Sequence, residues 1–158
     1  MKPAEKTNVM RLLDQKKIPY ESHSYVGTGV ISGVDVAAVL GQDPERVFKT
    51  LVTVGKTGGH YVFVIPVRRE LDLRKAAAAV GEKSVQMLPS KELLPLTGYV
   101  HGGCNPIGMK KRFPTVVEET ARNYDAILFS AGKIGYQVEL DVRALETVIP
   151  LTYGDLCE

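Results

Sequence analysis

Only two cysteines and three histidines occur in the 158 residues. Cys104 and Cys157 are too few for a disulfide scaffold, lack the paired spacing of a zinc site, and suit a reducing compartment. His23, His60 and His101 are scattered with no H-x-x-x-H pair, so no metal is expected. No apolar run approaches the roughly 20 residues needed to cross a bilayer. Residues 1–17 are polar and charged, without the apolar core of a signal peptide. A cytoplasmic protein with no membrane contact is therefore expected. Net charge is scarce too. Twenty Lys and Arg against 18 Asp and Glu leave a formal +2, which excludes a protein that coats nucleic acid by bulk positive charge. A local patch remains open, because a few well-placed cations grip a phosphate backbone. Met109-Lys110-Lys111-Arg112 is the obvious one, although such a run equally suits a solvated surface.

What is present is ordinary for a globular chain: 44% hydrophobic and 24% charged residues favour neither disorder nor a membrane class. The length suits one domain, 1–158, around one core. Apolar spacing at Val9, Leu12 and Leu13 predicts a helix over 3–17, with Pro3 in its first turn. A short strand is expected over 20–25, then a flexible loop 27–33. Ser32 or Gly33 opens a helix that Gly41 closes. Residues 47–54 and 60–67 read as strands joined by a turn at 55–59. A helix over 72–80 is capped by Asp72 and ended by Gly81. Further expectations are a strand at 84–88, a helical turn at 90–94 and a glycine-rich loop at 98–108. Strands at 116–117, 126–129 and 136–140 follow, then a helical turn at 144–148. Strands and helices mix without βαβ alternation. The fold class is α/β (mixed), with a barrel-like mixed sheet surrounded by short helices.

Three segments could carry chemistry. Lys49 sits in a strand whose two faces are both largely apolar, so its cation must snorkel, pair or line a polar pocket. An edge-strand lysine is the structural alternative. The loop His101-Gly102-Gly103-Cys104-Asn105-Pro106-Ile107-Gly108 has a backbone able to approach a ligand and offer amides to an anion or carbonyl. It is not a phosphate loop, since Met109 follows Gly108; a plain turn is the alternative. Ser130-Ala131-Gly132-Lys133 offers a hydroxyl, amides and a cation, or is simply a hairpin loop. In the next strand Gln137 faces either a polar cavity or water. Cys104 with His101 invites a nucleophile reading, but that spacing proves nothing, and a cysteine in such a loop is often a small hydrophobe.

Taken together, Phe48-Lys49-Thr50-Leu51, Thr97-Gly98-Tyr99-Val100, Gly102-Gly103 with Pro106 and Gly108, Lys110-Lys111-Arg112, Ser130-Ala131-Gly132-Lys133 and Val138-Glu139-Leu140 form an ordered set. That set, with His23-Ser24-Tyr25 near the start, resembles the YbaK/EbsC-type Cys-tRNA(Pro) deacylases over essentially the whole chain. It is also similar to the editing domain of bacterial prolyl-tRNA synthetases. The resemblance implies hydrolytic editing of tRNA(Pro) mischarged with cysteine, with no cofactor, and prolyl-tRNA synthetase as a partner. It implies that Lys49 is the residue most tied to activity. Tyr25, Thr50, Gly102, Gly103, Pro106, Gly108, Ser130 and Gln137 would bind substrate, and Lys110, Lys111, Arg112 and Lys133 would bind tRNA. It further implies that the substrate's own thiol attacks the ester. The sequence departs from the family at Gln137, where YbaK has aspartate, and at His101 and Cys104, where YbaK has aliphatic residues. Its loop between Tyr25 and Gly33 is shorter. Two other readings stand beside this one: a non-catalytic tRNA- or synthetase-binding module, and an Ala-tRNA(Pro) deacylase of the same fold.

Overall fold

A computed structural model describes residues 6–158. The elements in order are α1 (Asn8–Gln15), β1 (Glu21–Ser24), α2 (Gly33–Leu40), β2 (Phe48–Gly55), β3 (His60–Pro66), α3 (Leu73–Val80) and β4 (Val85–Met87). Then come α4 (Ser90–Thr97), β5 (Thr115–Glu118), a 3-10 turn (Glu119–Asn123), β6 (Ile127–Ser130), β7 (Tyr136–Leu140), α5 (Val142–Leu145) and β8 (Thr152–Gly154).

Helix starts follow side-chain caps. Thr7, Ser32, Asp72 and Asp141 each accept a hydrogen bond from a first-turn amide. Gly41, Gly81 and Gly98 end their helices in the left-handed conformation. Because Thr7 caps α1, that helix begins later than position 3; Pro3 itself lies outside the described residues. Likewise Asp141 starts α5 two residues before the expected 144. Helix α4 runs through Pro95 instead of stopping before it. The carbonyl that loses a partner there belongs to Lys91, which is exposed to solvent, and the Thr97 hydroxyl bonds the Leu93 carbonyl at 2.8 Å. Strand β8 has only three residues, too few for an alternation signal.

Two sheets result. One is antiparallel with order β1-β7-β6; the other has order β4-β2-β3-β5-β8. In the second, β4, β2 and β3 pair antiparallel while β3, β5 and β8 pair parallel, so the sheet is mixed as expected. The barrel-like expectation is not met, because neither sheet closes. A single parallel bridge, Val47 to Leu128, joins them. Closure would need β6 to continue along β2, yet past that bridge no described strand pairs with β2 until β4 meets Thr53.

The hairpin β2–β3 is buried on both faces. Phe48, Val52, Val62 and Val64 face the main core, which also takes Val9 and Leu13 of α1 with Phe129 and Val138 of the smaller sheet. Phe63 and Ile65 face the other way, against Ala76 and Ala77 of α3, with Leu51 packed alongside. Each such side chain contributes about 1.5–3 kcal/mol on burial. The two-sided burial read from the sequence is thus realised.

Helix α2 is fixed by a close approach. An added Cβ at Gly33 would lie 2.2 Å from Cγ1 of Val67, which is buried with Ala37, Val47 and Leu128. We expect Gly33→Ala to destabilise the fold by about 1–3 kcal/mol through overpacking. Adding Val67→Ala should recover part of that loss. Urea unfolding of both variants is the measurement. An unchanged midpoint for Gly33→Ala would show that α2 does not pack here.

Candidate functional site

The second edge of β2 is paired only at its ends. At one end the Leu128 amide donates to the Arg46 carbonyl at 2.9 Å. At the other the amide of Leu88, just past the end of β4, donates to the Val52 carbonyl at 3.0 Å. Between them Phe48, Lys49, Thr50 and Leu51 line an open cleft of about 480 Å³. Its other walls are Tyr25 after β1, Ser32 to Val34 at the start of α2, Leu93 of α4, His101, Gly102 and Cys104 of the long loop, Ser130 at the end of β6, and Gln137 of β7.

Lys49 is half-buried in this cleft, and its ammonium has no ion pair or hydrogen bond among the described residues. An unpaired cation among apolar strand residues attracts an anion more strongly than a lysine in water would. The Thr50 hydroxyl is buried with no hydrogen-bond partner among the described residues. Ser130 Oγ accepts from the Gly132 amide at 3.3 Å, leaving its own proton available.

Gly102 is confined to glycine for two reasons. Its φ is +88°, and an added Cβ would lie 2.9 Å from Cγ2 of Ile31. Cys104 is buried, and desolvation pushes its thiol up to about 12, while a hydrogen bond from the Asn105 backbone lowers it slightly. Burial therefore keeps Cys104 as the thiol and makes it a poor nucleophile. His101 is exposed and makes no hydrogen bond to Cys104 among the described residues.

Behind the cleft runs a polar seam on β7. Gln137, which is 2% exposed, forms a reciprocal amide pair with Gln42: Gln42 Nε2 donates at 2.7 Å and Gln137 Nε2 donates back at 3.0 Å. Two residues on, Glu139 accepts from Arg46 Nη2 at 2.8 Å and lies 2.8 Å from His23 Nε2. Burial alone would raise the Glu139 carboxyl; the hydrogen bonds to His23 and Arg46 outweigh that and hold it below the ordinary carboxylate range. Glu21, His23 and Glu139 place three donor atoms within 4.8 Å of one another. Arg46 already bonds that carboxylate, so the arrangement is an ion-paired seam that a metal cation would have to disrupt.

The structure therefore brings Lys49, Thr50, Tyr25, Gly102, Ser130 and Gln137 to one cleft. It places others elsewhere. Gly103 is buried, and an added Cβ would meet the Lys133 and Ile134 backbone at 3.5 Å. Pro106 and Gly108 line a separate hollow of about 120 Å³ with Lys111 and Arg112. Lys110 is exposed, with its stem near Gly98. Lys133 lies 5.6 Å above the Tyr136 ring.

Three contributors escaped the sequence reading of the site. Asn105 is fully buried; its Nδ2 donates to the Ser130 carbonyl and its Oδ1 accepts from the Ile107 amide at 2.7 Å. It thus ties the glycine-rich loop to the end of β6. A short polar side chain between a glycine run and a proline was its signal. The start of α2 and Gln42 gave none, since both act through contacts distant in sequence.

The model of the aminoacyl-tRNA editing domain matches residues 30–148. The chain is 49% identical over 158 residues to EbsC of Enterococcus faecalis (strain ATCC 700802 / V583), a protein named for Cys-tRNA(Pro)/Cys-tRNA(Cys) deacylation. That match covers 99% of this chain and 94% of the relative. It is 33% identical over 88 residues to the proline–tRNA ligase of Pelobacter propionicus (strain DSM 2379 / NBRC 103807 / OttBd1), covering 56% of this chain and 15% of that protein. A crystal structure described as a candidate trans-editing enzyme for prolyl-tRNA synthetase shares the fold: its TM-score is 0.83 at 22% identity, covering 98% of this chain and 99% of that one. With the family model matched over residues 30–148 and a relative 49% identical along nearly the whole chain, this chain belongs to the aminoacyl-tRNA editing domain family.

Proposed function

We propose that this chain, read as a single editing domain over 1–158, is a trans-editing deacylase that removes cysteine from mischarged tRNA(Pro). The observation that carries this reading is the unpaired Lys49 ammonium at the open edge of β2, inside a cleft of about 480 Å³. That volume falls within the range of small-molecule sites, roughly 300–1,000 Å³. At an effective dielectric near 20, an anion 4 Å from such a cation is held by about 4 kcal/mol, against about 1 kcal/mol in water. Lys49 would hold the terminal phosphate or offset charge that develops at the ester.

The chemistry needs no enzyme nucleophile. The cysteinyl thiol loses its proton, and its sulfur attacks the ester carbonyl carbon. The carbon–oxygen bond to the ribose breaks, the ribose oxygen takes a proton, and the amino acid leaves as a thiolactone that water opens. The domain then contributes position and electrostatics. The Cys104 thiol, pushed up to about 12 by burial, supports this division of labour. Ser130 and Gly102, which line the cleft, would supply donors to the ester. Cysteine and proline are close in size, so a synthetic pocket separates them weakly and a second site is required. Similarity to part of a proline–tRNA ligase supports prolyl-tRNA synthetase as a partner.

The decisive assay follows ester loss from labelled Cys-, Ala- and Pro-tRNA(Pro) with purified protein. Rapid loss of cysteine alone is expected. Loss of alanine alone would make this an Ala-tRNA(Pro) deacylase, and loss of none would leave a binding module. In the same assay Lys49→Ala should lower kcat/KM by about 10²–10³-fold, in the manner of a lost electrostatic stabiliser, with an unchanged melting temperature. Near wild-type turnover would make Lys49 merely structural. Cys104→Ser should stay within about tenfold of wild type, or 1.4 kcal/mol of barrier. Complete loss of activity in folded Cys104→Ser, or an aminoacyl adduct on Cys104, would restore the nucleophile reading.

The exposed run at Lys110, Lys111 and Arg112 gives the tRNA contact its character. Phosphate contacts position the acceptor end without reading bases. The protein alone should therefore deacylate Cys-tRNA(Cys) as well as Cys-tRNA(Pro). Replacing the three cations with alanine should raise KM and flatten its salt dependence, by about 0.7–0.9 in the log–log slope per lost phosphate contact. Strong preference for tRNA(Pro) without a partner would overturn this view.

A further inference from the structure

Gln137 is the one fully buried polar side chain among the cleft-lining residues. A glutamine side chain is long and adopts many rotamers, so what fixes it decides what the cleft presents. Its carboxamide has two N–H donors and two acceptor lone pairs. The reciprocal pair with Gln42 uses one of each, at 2.7 and 3.0 Å. The other N–H and lone pair make no hydrogen bond among the described residues.

Gln42 does not line the cleft, yet it is held firmly. Gly41 adopts φ +67° at the end of α2, and its amide donates to the Ala38 carbonyl. The next amide, that of Gln42, donates back to the Ala37 carbonyl at 2.8 Å. This double bond pattern is the Schellman closure, which a left-handed glycine permits. Four residues on, Arg46 holds Glu139 on the same face of β7. Gln42 is thus gripped by the helix end before it and by the ion pair after it. The opposite end of α2, at Ser32 to Val34, forms part of the cleft wall.

We infer that Gln42 is a positioning residue for substrate binding: it locks the Gln137 carboxamide so that its remaining N–H and lone pair meet the aminoacyl end of the substrate. This rests on the deacylase reading above. The resulting cleft floor is neutral and offers one donor and one acceptor, which suits the polar, uncharged ester and thiol groups of a cysteinyl ester. Because the contact exists in ground and transition states alike, losing it acts on binding rather than on turnover.

The test compares wild type, Gln42→Leu, Gln137→Leu and the double variant on Cys-tRNA(Pro). Melting temperatures are recorded for each. Gln42→Leu should raise KM about tenfold with kcat within about threefold, the pattern of lost uniform binding. Gln137→Leu should do the same, and the double variant should be no worse than Gln137→Leu alone, since coupled residues are not additive. A purely structural defect would lower the active fraction, and so kcat, while leaving KM in place. Should Gln42→Leu fail to fold, Gln42→Ala gives the same readout, with room for water at the freed amide. An unchanged KM in folded Gln42 variants, a fall in kcat alone, or additive effects in the double variant would overturn the inference while the deacylase reading stands. Wild type that releases cysteine from no tRNA would overturn both.

Discussion

Everything in this molecule depends on β2 being buried on two faces and open along one edge. Phe48 and Val52 fill the main core, while Leu51 packs on the opposite side with the cluster against α3. Such a strand can be placed rigidly, because both faces resist movement. Its β3 edge is fully paired, whereas its other edge is paired only near Leu128 at one end and with β4 and Leu88 at the other. The cleft is this gap, which is why Lys49 stands on a fixed backbone and still meets solvent.

The remaining walls are tied to the gap by polar contacts. Asn105 joins the glycine-rich loop to the end of β6 at Ser130. The seam on β7 joins the segment after α2 to the smaller sheet through Gln42–Gln137 and Arg46–Glu139. Buried polar groups of this kind stabilise only when every partner is present. That constraint makes the seam specific: an apolar replacement on one side leaves a buried group unsatisfied on the other.

The division between position and reactivity is consistent across the site. The Cys104 thiol is suppressed by burial, while the Lys49 cation has no partner among the described residues.

The sequence by itself determined the local elements and the identity of the central cation. Caps at Ser32 and Asp72, glycine stops at Gly41 and Gly81, and the apolar runs on either side of the 55–59 turn are short-range signals, and the structure carries them. Lys49 stood out because a charge among apolar strand neighbours is legible without a fold. The tertiary structure alone decided how strands distant in sequence meet. It left the sheets open where a barrel was expected, and formed β8 from three residues by parallel pairing with β5. It also sent Pro106 and Gly108 to a second hollow and gave Gln137 its partner 95 residues away. The physical reason is range: caps and turns are satisfied within a few residues, whereas a cleft and a buried amide pair exist only once long loops have closed.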